Sequence, residues 1–434
     1  MTGKNNVPQI RFKGFNNKWN EKPLEHFADV LDGDRGFNYP KQEDLQVNGH
    51  TLFLSAANVT LDGFKFTNNQ YITEEKSSLM GNGKLIVNDI VLTSRGSLGN
   101  IAWYNENIQK RILFARINSG MLILRAKNCA LPCAITHLLK SPLGQKKINL
   151  ISFGSAQPQL TKGGVSSLSL ILPQNKLEQA KIGGYFQSLD RLIEQKEKKY
   201  QKLQQFKKAM LGKMFPANDA NAPSIRFNDF TENWHCLEFS KVFENISNNN
   251  LSRAMLNYDH GLAKNIHYGD VLIKFREVLN VEKEEIPFIT NENIVSKFKS
   301  SKLLDGDVII SDAAEDSTVG KCTEIMNIGN EVVFSGLHTI AVRPVQYFAS
   351  KYLGYYMNSS SYHNQLLPLL QGTKVLSISK SAIKNTRINY PESFLEQTKI
   401  GNYFQKLDQL IDLQQQELQK LKNLKKAFLA KMFV

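Results

Sequence analysis

The chain repeats a part of itself, and that repeat constrains its fold more than any other feature. The segment LEQAKIGGYFQSLDRLIEQKEKKYQKLQQFKKAMLGKMF (177–215) returns as LEQTKIGNYFQKLDQLIDLQQQELQKLKNLKKAFLAKMF (395–433). The copies align without a gap at an offset of 218, with 23 of 39 positions identical. The entrance to each half recurs as well. Pro8, Ile10, Arg11, Phe12, Phe15 and Trp19 match Pro223, Ile225, Arg226, Phe227, Phe230 and Trp234. Between these ends similarity falls to echoes such as Arg125 and Arg343, Gly154 and Gly372, or Lys162 and Lys380. An internal repeat is read before any fold assignment. Similar ends around dissimilar middles describe a common frame carrying two different inserts.

Both repeated segments carry a heptad. In the first copy the apolar seam is Ile182, Phe186, Leu189, Ile193, Tyr200, Leu203 and Met210. In the second it is Ile400, Phe404, Leu407, Ile411, Leu418, Leu421 and Phe428. Apolar a and d positions sustained over five heptads predict a coiled-coil seam. The polar breaks, Lys196 and Lys207 against Gln414 and Lys425, fall at equivalent places and are expected to fix register. A helix of that length is roughly 58 Å long at 1.5 Å per residue, more than the 34–36 Å of one duplex turn.

The middles read differently. Short apolar or alternating runs punctuated by Gly, Asn and Asp, as at 84–93, 121–124, 302–311 and 338–342, predict strands. Helical patterns follow at 130–140 and 348–358. The expected fold is α/β: two mixed α/β domains and two long helices packed as an antiparallel coiled coil with pseudo-two-fold character. The expected boundaries are a first globular domain at 1–175, a long helix at 176–215, a second globular domain at 216–394 and a second long helix at 395–434.

Charge narrows the partners. With 54 basic and 40 acidic residues the chain carries +14, which favours a polyanion such as nucleic acid. The excess is uneven: residues 1–175 hold +8, and residues 216–394 hold −3. A DNA-binding second domain therefore needs a local basic surface rather than a general field. No apolar run reaches membrane-spanning length and the N-terminus lacks a signal-peptide core, so a cytoplasmic protein without a membrane partner is expected. Cys129, Cys133, Cys236 and Cys322 form neither a metal-spaced quartet nor a disulfide framework, and no metal site is expected.

Common catalytic templates are missing. There is no G-x-x-x-x-G-K-[ST] loop, Gly-rich dinucleotide turn, H-E-x-x-H pair or G-x-S-x-G elbow. The Asp/Asn-Pro-Pro-aromatic signature of amino-methyltransferases is absent too. Asp312, Glu315 and Asp316 read as a solvated turn, and His137, His267 and His338 have no partner in sequence. The chain is expected to recognise rather than to catalyse.

The arrangement of variable domain, long helix, variable domain and long helix resembles the specificity subunit of Type I DNA restriction–modification systems. The entry motif Pro-x-Ile-Arg-Phe-x-x-Phe-x-x-x-Trp at 8–19 and 223–234 carries the resemblance, with the helix endings Lys-Lys-Ala-x-Leu-x-Lys-Met-Phe at 207–215 and 425–433. So does the stretch Asn88 to Gly99; the second domain has Gly306 to Ser311 but then departs, with Asp-Ala-Ala-Glu-Asp in place of Arg-Gly-Ser. The resemblance implies that each globular domain is a target recognition domain reading one half of a bipartite, asymmetric double-stranded DNA site. The helices would set the gap and dock two modification (methyltransferase) subunits. S-adenosylmethionine, ATP and Mg would belong to partner subunits, the restriction subunits supplying translocation and cleavage, with no cofactor in this chain. A coiled-coil adaptor for protein partners and an unrecognised nuclease stay open as alternatives.

Base reading needs Arg, Lys, Asn, Gln, Ser or Thr on groove-facing loops. In the first domain the candidates are Ser94, Arg95 and Ser97, Lys110 and Arg111, and Gln157, Gln159 and Lys162. In the second they are Lys274 and Arg276 after an expected strand at 268–273, and Lys321 after the 317–320 turn. Thr373, Lys374, Ser377, Ser379 and Lys380 complete the set.

Overall fold

The computed structural model describes residues 6–128, 131–154, 158–217 and 220–434. The chain divides into two compact units, Met1–Glu197 with Gln416–Val434, and Lys198–Gln415. Each unit holds one globular head, the opening stretch of the long helix that follows that head, and the closing stretch of the other long helix.

In the first head an antiparallel sheet runs in the order Ala28–Asp32, Met121–Ala126, Asp89–Thr93, Ile101–Tyr104. A smaller sheet places Thr51–Leu54 between antiparallel Tyr71–Ile72 and parallel Ala115–Ile117. Asn20–Pro23 pairs with Ser169–Leu172 at the base. The second head repeats this plan. Its main sheet runs Phe243–Ile246, Thr339–Pro344, Val308–Ser311, Cys322–Met326, with Val278–Asn280 added in parallel at one edge. Its smaller sheet sets Ala263–Ile266 between antiparallel Phe288–Ile289 and parallel Val333–Ser335. His235–Glu238 pairs with Arg387–Tyr390. The middles are therefore two versions of one topology rather than unrelated inserts. Strand order depends on which positions are apolar and inward, a pattern that many residue choices satisfy.

The sequence echoes mark where the shared topology is bolted. Arg125 makes a bidentate pair with buried Asp89, both bonds at 2.8 Å, and Arg343 does the same to Asp307 at 2.9 and 2.7 Å. The two carboxylates also accept the backbone N–H of Ile86 and of Leu304, closing the turn that leads into the central strand. That turn needs a left-handed residue, Asn88 at φ 76° and Gly306 at φ 91°. The entry motifs work the same way. Arg11 grips Glu178 at 2.6 and 2.9 Å, and Arg226 grips Glu396 at 2.7 and 2.9 Å. Each pair ties a head to the first turn of its long helix.

Some local readings differ from the structure. Residues Tyr268–Ile273 form a helix, not a strand: the ring of His267 accepts the Gly269 N–H as a cap, and Asp270 is held by Arg253 at 2.8 and 2.9 Å. A short apolar run is ambiguous between the two states by pattern alone. The expected strands at 84–93 and 302–311 are regular only over Asp89–Thr93 and Val308–Ser311, because their first halves are the turns just described. The helices near 130–140 and 348–358 span Pro132–Lys140 and Tyr352–Met357.

The long helices run Lys176–Lys213 and Phe394–Lys431. Among the described residues no helix is long and apolar enough to cross a membrane. In the first unit Ile182, Phe186 and Leu189 are buried in the head's core together with Leu429, Met432 and Phe433 from the other helix. Asp190 pairs with Lys425 and Glu197 with Lys422, so these two segments lie antiparallel. In the second unit Ile400, Phe404 and Leu407 are buried with Met214 and Phe215, and Lys207 pairs with Asp408 at 2.6 Å. Ile411 and Leu418 are buried as well, whereas Ile193, Tyr200, Leu203, Met210, Leu421 and Phe428 are half-buried. Three of the four polar positions in the heptad are charge-paired, Lys196 with Glu417, Lys425 with Asp190, and Lys207 with both Asp408 and Glu277, while Gln414 is buried. The apolar positions at the start of each helix thus seat it on its own head and on the end of its neighbour at once.

Candidate nucleic-acid interface

In each head the central strand runs out into a loop, and a second loop from far along the chain returns to meet it. In the first head Ser94 is buried, its N–H donating to Gly120 O and its carbonyl accepting the Leu160 N–H. That return loop is pinched where Phe153 and Gln159 exchange backbone bonds, with Gly154 at φ 94°. In the second head Asp312 N–H donates to His338 O and Asp312 O accepts Ile378 N–H. Gln371 and Ser377 exchange the matching bonds, with Gly372 at φ 106°. Every one of these staples repeats at the offset of 218 seen in the helices.

The side chains on the staples are unlike. In the first head Arg95 is exposed, and its Nε donates to Gln159 Oε1 at 3.0 Å across the two loops. Ser97 is exposed beside it, its carbonyl accepting the Thr93 hydroxyl. Lys162 is exposed on a short helix that caps on Thr161. Lys110 and Arg111 stand apart on the helix Glu106–Arg111, where the Arg111 guanidinium lies over Phe66 at 5.6 Å. Gln157 lies outside the described residues, as does Cys129.

In the second head the position of Arg95 is taken by Ala313, which pairs with Ser377 in a short ladder. Asp312 occupies the station of Ser94. Burial pushes its carboxyl up, against the pull of His338, whose Nδ1 lies 3.2 Å away, and of Lys380. Lys380 donates to Asn248 at 3.2 Å, and Asn248 in turn donates to Gly336 O. Thr373, Lys374, Ser377 and Ser379 are exposed around this group. The sequence reading gave His338 no partner and did not single out Asn248, because nothing in their spacing joins them to Asp312 or Lys380.

Three candidates have other partners. Arg276 is bound by Asp412 of the second long helix, with Asp408 at 3.6 Å. Lys321 donates to the carbonyls of Leu272 at 2.8 Å and Phe275 at 3.0 Å, and burial lowers its pKa. Lys274 holds the carbonyl of Glu285 and lies over Tyr258 at 5.1 Å.

A family model describing the Type I restriction modification DNA specificity domain matches residues 16–205 and 265–423, which is most of the chain. The chain belongs to this family. As a member of the Type I specificity family it is a DNA sequence-recognition component of a restriction–modification system, and its two heads are target recognition domains. The S subunit of a Type I system from M. genitalium is 15% identical with a TM-score of 0.58, covering 99% of both chains. A second structure, described as the basis of complex assembly and conformational transition of the Type I R-M system, is 17% identical with a TM-score of 0.55. It covers 95% of this chain and 96% of the other. At such identities the likeness speaks for the fold. No curated protein matches this chain by sequence.

Proposed function

We propose that each head reads one half of a bipartite, asymmetric DNA site through its stapled loop pair, and that the chain performs no catalysis itself. The observation that carries this reading is the contrast between the repeated backbone staples and the side chains they present. Arg95, Ser97, Gln159 and Lys162 face the first half-site, and buried Ser94 holds the loop beneath them. Thr373, Lys374, Ser377, Ser379 and Lys380 face the second. Lys110 and Arg111 suit phosphate contacts, which position without specifying. Arg276, Lys321 and Lys274 serve the second unit's own structure before any DNA.

The long helices act as spacer and dock. A 38-residue helix spans about 57 Å. Two apolar stations, Leu192 with Leu410 and Phe206 with Leu424, recur at the offset of 218 and remain exposed on the helices. Repeated apolar stations suit two copies of one partner, here the modification subunits. S-adenosylmethionine, ATP and Mg belong with those partners and with the restriction subunits, in the cytoplasm.

Mapping methylated adenines in a host carrying this chain and its partners tests the reading. The expected result is one split motif with two different half-sites and a fixed gap. Methylation that ignores this chain, or DNA cleavage by the purified chain alone, overturns it.

A further inference from the structure

The turn at Gly36–Tyr39 in the first head is over-anchored for an ordinary surface loop. Asp34 accepts the N–H of Gly36 and of Gly81, both at 2.7 Å, and Tyr39 N–H closes the turn onto Gly36 O at 3.0 Å. Asn38 donates to Leu79 O at 2.9 Å, and the Tyr39 ring meets Phe53 edge-on at 5.6 Å. Within this fixed frame the Phe37 ring is 101% exposed. It is the most exposed large hydrophobic side chain among the described residues. A rigid turn gives up little entropy when its tip is captured, and a bare ring in water forfeits the gain that burial would return.

The turn also has a definite address. Neighbouring Arg35 reaches Ser119 O at 3.4 Å, and the next residue, Gly120, supplies the carbonyl that receives the N–H groups of Ser94 and Arg95. Phe37 is thus carried on a turn tied to the same loop cluster as the Arg95–Gln159 pair, two residues from the exposed guanidinium of Arg35. Among the described residues Arg35 has only Asp32 at 3.6 Å as an ion-pair partner, and Asp34 is committed to backbone N–H groups. Positive charge beside an aromatic ring fits the phosphate and base stack of DNA, where apolar side chains wedge between base steps. The matching stretch of the second head, Asn248 to Ser252, offers no such ring, and its Leu251 is buried.

We propose that Phe37 is a specificity-determining wedge that stacks into a base step of the first half-site only. The proposal rests on the DNA-reading role of the first head. The test uses the full chain assembled with its modification subunits, on duplexes carrying 2-aminopurine at successive positions of both half-sites. The wild-type complex should raise fluorescence at one step of the first half-site, and Phe37→Ala should abolish that signal. The same variant should weaken specific binding roughly ten- to a hundredfold, with non-specific affinity unchanged and Phe37→Trp restoring both readouts. Wild-type affinity and fluorescence in Phe37→Ala, with sequence selectivity intact, overturn the wedge alone. A wild-type complex that does not discriminate half-site sequence overturns the DNA reading beneath it.

Discussion

The first unit joins head to helices through Asp190, which meets Lys425 at 2.6 Å and the Nε2 of His137 at 3.3 Å. The second unit uses Asp408, which meets Lys207 at 2.6 Å and the hydroxyl of Tyr355 at 2.7 Å. All three positions are related by the offset of 218, yet the two carboxylates are tuned oppositely. Burial pushes Asp190 up, but His137 and Lys425 outweigh it and bring the group to about 2. At Asp408 burial, reinforced by Glu277, prevails over Lys207 and the pKa rises. Duplication preserved the helix-to-helix ion pair and left the head's contribution free to change. The loops follow the same rule: their staples repeat and their side chains do not.

The largest effect should come from removing the bolt that the copies share. Glu178→Ala and Glu396→Ala each strand a nearly buried Arg, which costs about 3–5 kcal/mol. Glu178 additionally accepts from the Trp19 ring N–H at 3.2 Å, whereas the ring N–H of Trp234 has no hydrogen-bond partner among the described residues. The first substitution should therefore hurt more. Urea unfolding, read as the midpoint shift of the affected unit, checks this; equal losses would show that the tryptophan bond adds nothing.

Next comes a difference in pH response. Val308 pairs with Glu324 in the second head, and Ile90 at the same station in the first pairs with Trp103. Burial pushes Glu324 up to about 7, even though it accepts the N–H groups of Gly354 and Lys351. A carboxyl whose folded pKa lies above its unfolded one loses stability as pH rises from the ordinary carboxylate range to about 7, and changes little beyond. The second unit should weaken across that window by something on the order of 2–3 kcal/mol, and Glu324→Gln should flatten the dependence. Unfolding midpoints at pH 5 and pH 7 decide it. A first unit that weakens in parallel would remove Glu324 as the cause.

A smaller contrast lies where the helices touch the heads. A Cβ on Gly183 would sit 2.2 Å from the Cys133 sulfur and 2.6 Å from its Cβ, whereas one on Gly401 would meet Ser350 O at 3.0 Å. Gly183→Ala should cost about 1–3 kcal/mol and Gly401→Ala less, by thermal unfolding of each variant. The reverse order would mean that the first joint yields more readily than its contacts imply.

The frame was legible because its rules are periodic. Heptads and repeated entry motifs announce helices and their neighbours, and the offset pointed straight to Arg125 and Arg343. The common topology of the heads was not legible. An antiparallel sheet asks only for inward apolar positions, so Met121–Ala126 and Thr339–Pro344 hold the same place with little identity. The interface was half legible. Arg95 and Gln159 were singled out by residue type, but their meeting across 64 positions depends on backbone staples of which only the Gly154 and Gly372 echo leaves a mark in sequence. Lys321 and Arg276 look like DNA contacts by chemistry, but Lys321 is held by carbonyls and the exposed Arg276 by aspartates within reach.

The finest test sets Arg95 against Lys374. Arg95 spends its Nε on Gln159, which fixes the plane of the guanidinium and leaves its terminal N–H groups for a base edge. Arg95→Ala should relax discrimination at one position of the first half-site by about 1–3 kcal/mol and leave the second half-site untouched, since Ala313 occupies that station there. Lys374 is exposed, and among the described residues no hydrogen bond or ion pair clamps its ammonium as Gln159 clamps Arg95. Lys374→Ala should weaken all sequences alike and lower the salt-dependence slope by about one. Competition binding against single-base variants at two salt concentrations separates the outcomes. If Lys374→Ala instead relaxed one base of the second half-site, that head would read with an unclamped lysine where the first uses a clamped arginine, and clamping would no longer distinguish a base contact from a phosphate contact.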